Sequence, residues 1–202
     1  MDTLHANLNF MSLDKPLRSL VITSSVPNEG KTDVAVGLAH TMAASGKRTL
    51  IVECDLRRRS LAGRLGTRPP VGLGAVVLGD AKLEQAAVQT GQRNLWFLDA
   101  EHETPNPSDL LDSMGFGRLL SAAEHAYDRV IIDTPPVGAF VDAAVVSSRV
   151  DATIMVVRQR FVRRSSVKQA VDQLEKAGAY LVGTVVSFCD SPASKDFRRT
   201  CH

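Results

Sequence analysis

The sequence predicts an α/β fold: a doubly wound, mostly parallel sheet flanked by helices. Three observations carry that expectation. Six short apolar runs recur along the chain, stretches with apolar residues every three or four positions separate several of them, and Gly46 and Gly178 stand where two such stretches end. Alternation of this kind means βαβ units joined by right-handed crossovers.

In chain order, the strands are expected at Ser19–Ser24, Arg48–Cys54, Asn94–Ala100, Arg129–Asp133, Ala152–Arg158 and Tyr180–Ser187. Most are β-branched and apolar at consecutive positions, the pattern of parallel strands covered on both faces. Helices are expected at Thr32–Ser45, Phe116–Ala126 and Val162–Ala177, whose apolar residues return with helical spacing. The Pro/Gly-rich segments Gly66–Gly74 and Thr104–Asp109 read as functional loops within one sheet. No internal repeat, low-complexity segment or interdomain linker interrupts the pattern. The expected organisation is an N-terminal segment over residues 1–18, one domain over 19–190 and a flexible tail over 191–202.

Composition excludes several functions. A chain of 202 residues with 44% hydrophobic content can bury one full core. The formal charge of +2, with 23% charged residues, gives no case for nucleic acid or an anionic membrane as partner. No apolar run approaches the ~20 residues that span a bilayer, so no direct membrane insertion is expected. The start MDTLHANLNF lacks the plan of a signal peptide, and a cytoplasmic protein is expected. Cys54, Cys189 and Cys201 are widely spaced and read as reduced structural thiols.

Ligands of doubly wound sheets bind beyond the carboxyl ends of the strands. After the first run comes SVPNEGKT, which is G-x-x-x-x-G-K-[ST] with Ser25 in place of the first glycine. A phosphate chain needs inward backbone N–H groups, a helix N-terminus, one cation and a hydroxyl for Mg²⁺. Gly30, Lys31 and Thr32 supply these at a strand-to-helix junction, and Asn28 tolerates the left-handed turns such a loop requires. The nucleotide-binding set is Ser25, Asn28, Glu29, Gly30, Lys31, Thr32 and Asp33, and the fold narrows to the P-loop NTPase type.

Two more strand ends carry carboxylates. LIVECDLRRR places Asp55 just past its apolar run, where it can face a metal or a substrate hydroxyl. Of the arginines behind it, Arg57 is read as able to neutralise phosphate charge, and Arg58 and Arg59 as solvated. VIIDTPP ends on Asp133, a position that commonly holds Mg²⁺ opposite the loop hydroxyl. Pro135 and Pro136 stop that strand, and Asp142 is read as a helix N-cap. Thr32, Asp55 and Asp133 are thus the candidate metal set, with Asp55, Lys31 and Arg57 as the catalytic one.

The segments SSVPNEGKT, LIVECDLRR and YDRVIIDTPP resemble the Walker A, Walker A′ and Walker B motifs of the bacterial tyrosine kinases that accompany capsule and exopolysaccharide export. The resemblance runs over about residues 7 to 187 and includes LDKPLRSLVITSS, PNPSDLLDS and VDATIMVVR. It implies ATP and Mg²⁺ as cofactors, bound by Lys31, Thr32 and Asp133. It implies Asp55 as metal ligand or general base toward a protein tyrosine. As partners it implies a transmembrane activator that recruits the chain to the inner membrane face, a protein tyrosine substrate and a homo-oligomer.

The sequence also departs from the family. Asn28 replaces a usual glycine, Glu53 a usual aspartate, and Ser187 an asparagine near the adenine. The family's N-terminal E-x-x-R-x-x-R assembly segment is here MDTLHANL, with His5 and Asp2 near the arginine positions. The C-terminal SFCDSPASKDFRRTCH has no tyrosine cluster, and Tyr127 and Tyr180 read as half-buried packing residues. Three activities compete: a tyrosine kinase of polysaccharide export, a partition-type ATPase switch, and a nucleotide-binding interaction subunit without catalysis.

Overall fold

The computed structural model describes residues 1–12, 16–100 and 106–189. Along the chain these form α1 (Asp2–Met11), β1 (Ser19–Ser24), α2 (Lys31–Ala44), β2 (Thr49–Glu53), α3 (Leu61–Leu65), α4 (Leu73–Leu78), α5 (Leu83–Ala86), β3 (Val88–Gln89), β4 (Leu95–Leu98), α6 (Pro107–Asp112), α7 (Met114–Ala126), β5 (Arg129–Asp133), α8 (Asp142–Ser147), β6 (Ala152–Arg158), α9 (Arg164–Lys176) and β7 (Leu181–Ser187). The strands make one sheet in the order β3-β4-β2-β5-β1-β6-β7, parallel throughout except for the antiparallel β3 at one edge.

The continuous apolar runs are explained by burial on both faces. Val21, Leu50, Val52, Val130 and Ile132 pack into a core with α4 and α7. Their neighbours Leu20, Ile22, Ile51 and Ile131 turn the other way, against α2. Alternate residues of each strand therefore reach opposite apolar layers. The chain leaves β1 toward β2, β4 and β3 on one side, and later returns to place β6 and β7 on the other. That reversal opens a crevice at the carboxyl end of β1.

Where the structure differs from expectation, local sequence was ambiguous. Segment 66–74 is a loop only as far as Gly72, because Leu73 opens α4 with its side chain fully buried. Segment 104–109 is helical from Pro107, a proline at the first helical position, where no N–H is needed. Thr104 and Pro105 lie outside the described residues, as do residues 191–202 of the expected tail and Cys201. Two-residue β3 offers no periodicity to detect. Asp142 is the first residue of α8 rather than its cap, since its side chain is claimed by an arginine described below.

Residues outside the crevice are also placed. Helix α1 lays Leu4 and Leu8 on the apolar layer over α2. Tyr127 is buried and packs on Trp96, ring centroids 5.5 Å apart, with the Arg48 guanidinium over both rings. Tyr180, expected half-buried, is 55% exposed because it stands at the mouth of the α9–β7 turn beside an edge strand. Cys54 is buried and Cys189 exposed, and neither forms a disulfide. Among the described residues no helix is long and apolar enough to cross a membrane.

Candidate active site

The crevice is built from three adjacent strand ends. β2, β5 and β1 lie side by side, with Glu53 in register with Asp133 and Asp133 in register with Ile22. The loop after β1 turns through Asn28 (φ 67°) and Gly30 (φ 86°) into α2. Asparagine and glycine are the residues that adopt this left-handed region at least cost. No side chain caps the N-terminus of α2. Its first-turn N–H groups and positive dipole end therefore face the cavity, ready for an anion.

The loop is braced from behind. Glu29 is fully buried, and its carboxylate accepts from Ser25 Oγ (2.7 Å), the Val26 N–H (2.8 Å) and the Arg158 N–H (3.1 Å). The Ser25 and Glu29 side chains therefore hold the loop's shape and do not line the cavity. The exit of β5 is stitched to it as well: Val137 N–H donates to the Ser24 carbonyl and Thr134 Oγ1 to that of Ile22. Gly138 approaches so closely that a Cβ there would lie 2.3 Å from the Ser25 carbonyl oxygen. Gly138→Ala is expected to cost roughly 1–3 kcal/mol through this overlap, read as a lowered urea midpoint.

Lys31 stands at the centre. Its Nζ donates to Asp55 Oδ2 at 3.0 Å and lies 3.8 Å from Asp133 Oδ1 and 3.3 Å from Thr32 Oγ1. Asp55 also accepts the Arg58 N–H on Oδ1 at 2.9 Å, which fixes the carboxylate just past β2. Asp133 is fully buried, and neither of its oxygens has a hydrogen-bond partner among the described residues. Burial lifts its pKa to about 6 against the opposing pull of Lys31. Glu53, beside it in register, is lifted to about 8, first by burial and then by Asp133, while Oε2 accepts the Ser60 and Leu61 N–H groups at 2.8 Å.

A buried carboxylate without a hydrogen bond, beside a threonine hydroxyl at a helix N-terminus, fits Mg²⁺, which is held by one or two carboxylates together with substrate phosphates. Among the described residues no group of three or more His, Cys, Asp or Glu forms a metal cage made wholly of protein ligands.

The raised carboxyls fix a pH dependence. A raised carboxyl pKa favours the protonated folded state, so its stabilising effect is complete below the unfolded value and is lost as pH rises through the folded value. For Asp133 that loss runs from about 3.8 to about 6, and for Glu53 from about 4.5 to about 8. Unliganded protein is expected to lose stability across this window. Asp133→Asn should remove the lower part of the slope and stabilise the unliganded chain at pH 8 by roughly 1–3 kcal/mol, measured by urea unfolding at several pH values.

The cavity, of about 500 Å³, is lined by Asn28, Gly30, Lys31, Thr32, Asp33 and Asp55, together with Arg57 and Arg58. Arg57 is held by both oxygens of buried Asp142 (Nε to Oδ2, 2.8 Å), which also accepts from Ser108, and its guanidinium lies 4.3 Å from the Phe140 ring centre. Arg58 is exposed, as read from the sequence. Arg59 is not solvated: it binds Asp99 at 2.6 Å, because β4 ends next to β2 and presents that carboxylate. Asp33 pairs with Arg64 of α3 at the cavity edge.

Arg158 and Phe188 also line the cavity and were missed. The signal was present, since Arg158 ends β6 and Phe188 follows β7. Applied to those two strands, the strand-end rule finds both.

The AAA domain family model matches residues 28–181. Tyrosine-protein kinase YwqD of Bacillus subtilis is 32% identical over 185 residues, covering 92% of this chain and 78% of its own. The kinase domain of the Escherichia coli tyrosine kinase ETK superposes with a TM-score of 0.87 at 30% identity, covering 94% of this chain and 76% of that one. The septum site-determining protein MinD of Pyrococcus horikoshii, complexed with Mg-ADP, shares the fold at a TM-score of 0.72 and 23% identity, covering 89% and 76%. The motifs at three neighbouring strand ends and the agreement of family model, relative and solved fold have one explanation: the chain belongs to the AAA domain family and, within it, to the bacterial tyrosine kinases.

Proposed function

We propose that this chain transfers the γ-phosphoryl group of ATP to a protein tyrosine in the control of capsular or extracellular polysaccharide synthesis and export. The observation that carries the reading is Lys31 poised between Asp55 and Asp133 at the uncapped start of α2. Without nucleotide, Lys31 is neutralised by the two aspartates. Phosphate drawn to the helix N-terminus offers it a stronger partner, and its departure frees Asp55.

Thr32 and Asp133, with Asp55 beside them, would hold Mg²⁺, which when bound neutralises charge on the phosphate oxygens. The loop N–H groups and Lys31 spread the charge that develops in transfer, the main source of catalysis in this reaction. A tyrosine hydroxyl with a pKa near ~10 arrives protonated. As its oxygen bonds to phosphorus and the bond to ADP breaks, Asp55 accepts the proton. Arg57, locked by Asp142, steadies the acceptor side. The Mg-ADP carried by the structural neighbour MinD supports ATP and Mg²⁺ as cofactors.

In this reading the domain over residues 19–190 works with a transmembrane activator that brings it to the inner membrane face, and self-association is part of its regulation. The test is transfer from labelled Mg·ATP to a tyrosine-rich peptide, with free phosphate recorded in parallel and the activator's cytoplasmic segment added. Phosphotyrosine is the expected product. Free phosphate alone would overturn the reading in favour of an ATPase switch.

A further inference from the structure

We propose that a second cavity, which borders the phosphate cavity along the segment that follows β2, is a subsite for acidic side chains flanking the acceptor tyrosine. The inference rests on the kinase reading and adds to it the chemical class of the protein substrate. The second cavity measures about 660 Å³, within the range of ligand sites, and shares Arg57 and Ser60 with the first. The side chains that follow β2 divide between the two: Asp55 and Arg58 line the phosphate cavity, Leu56 and Arg59 the second. A tyrosine that presents its hydroxyl to Asp55 therefore brings its own chain neighbours beside the second cavity.

Charge sets the chemistry of what binds there. Three guanidinium groups, those of Arg57, Arg59 and Arg68, line this cavity against one carboxylate, that of Asp99. Asp99 is buried and accepts from Arg59 Nη2 at 2.6 Å and Nε at 3.4 Å. Arg57 gives Nε and Nη2 to Asp142 in the same way. With Asp142 counted behind Arg57, three cations face two carboxylates, and the unmatched charge is that of Arg68. It is exposed and has no ion pair among the described residues.

The two paired arginines still have donors to offer. A guanidinium carries five N–H groups in a fixed fork. Each spends Nε and Nη2 on its carboxylate, and neither Nη1 makes a hydrogen bond among the described residues. The pairing thus orients both forks and leaves an edge of each for a further acceptor. Guanidinium edges match the geometry of a carboxylate, and donors fixed in advance lose little freedom on binding it.

The remaining wall supplies no competing charge. Leu56 is buried, and Pro69 and Pro70 contribute rings without backbone N–H groups. Their fixed φ angles stiffen the chain directly after Arg68. The nucleotide's own phosphates are drawn to Lys31 and the uncapped start of α2, which leaves this cationic cavity to the protein substrate.

The test is transfer from Mg·ATP, with the activator's cytoplasmic segment present, to three peptides whose single tyrosine is flanked on both sides by glutamate, glutamine or lysine. Arg68 is the residue to vary, because it is exposed, whereas removal of Arg59 would strand buried Asp99. In the unmodified chain the glutamate peptide is expected to show a KM about tenfold below that of the glutamine peptide, a gap that narrows as salt is raised. Arg68→Ala should raise KM about fivefold for the glutamate peptide and far less for the glutamine peptide. Arg68→Lys should keep the preference, and Arg68→Glu should make the lysine peptide the better substrate. Three results would overturn the subsite: equal KM for the glutamate and glutamine peptides in the unmodified chain; equal losses on both in Arg68→Ala, meaning the residue is only structural; or a glutamate preference that Arg68→Glu leaves unchanged, meaning the acids bind elsewhere. In each of these, transfer is still seen and the kinase reading stands. If Mg·ATP binds and no peptide gains phosphotyrosine, the kinase reading falls and the subsite with it.

Discussion

Lys31→Met is expected to abolish ATP binding and phosphotyrosine formation together. The substitution keeps the length and apolar body of the side chain and removes the cation from between Asp55 and Asp133, 3.0 and 3.8 Å from their oxygens. Those carboxylates would then meet an incoming phosphate chain with no compensating charge beside them. A hydrogen bond between charged groups such as Lys31 and phosphate is worth roughly 1.5–3 kcal/mol, so its loss corresponds to about one to two orders of magnitude in nucleotide affinity. The measurement is titration with Mg·ATP alongside the transfer assay. Near-normal ATP affinity in this variant would sink the phosphate-loop assignment, because the loop N–H groups would then suffice alone.

Asp55→Asn separates binding from chemistry. Asparagine keeps the shape of the side chain and can still accept the Arg58 N–H that fixes it, so the β2 exit should hold. What it loses is the ability to take a proton. Transfer to tyrosine should fall by about 10²–10⁴-fold, the usual contribution of a positioned general base, while ATP affinity changes far less. Equal loss of both would reduce Asp55 to a residue of the metal site. Since Lys31 loses its closest anion in this variant, ATP affinity could even rise, an outcome that still separates the two roles.

Part of the site was legible because its chemistry is local. SVPNEGKT carries its own strand-to-helix context, and the left-handed turns at Asn28 and Gly30 follow from residue type alone. Asp55 and Asp133 were found because carboxylates directly after buried parallel strands have one place to go. Other features depended on distant partners. That Arg59 meets Asp99, or that Asp142 serves Arg57 rather than capping α8, is decided by strand order and not by spacing. Glu29 was read as a cavity residue because it lies inside the motif, yet its carboxylate points into the body of the loop toward Ser25, Val26 and Arg158.

By itself the sequence determined the fold class, the six main parallel strands and the identity of the groups at three strand ends, because hydrophobic periodicity and residue conformational preference are properties of short segments. Only the tertiary structure decided that β2, β5 and β1 are neighbours, which turns three separate motifs into one charged cluster. It also decided that Asp133 lies buried without a hydrogen bond, 3.8 Å from Lys31, and that Arg158 is flanked by Phe161 and Phe188 across the ends of β6 and β7. Burial and the pairing of residues far apart in the chain depend on how the whole sheet is wound, and no local pattern encodes them.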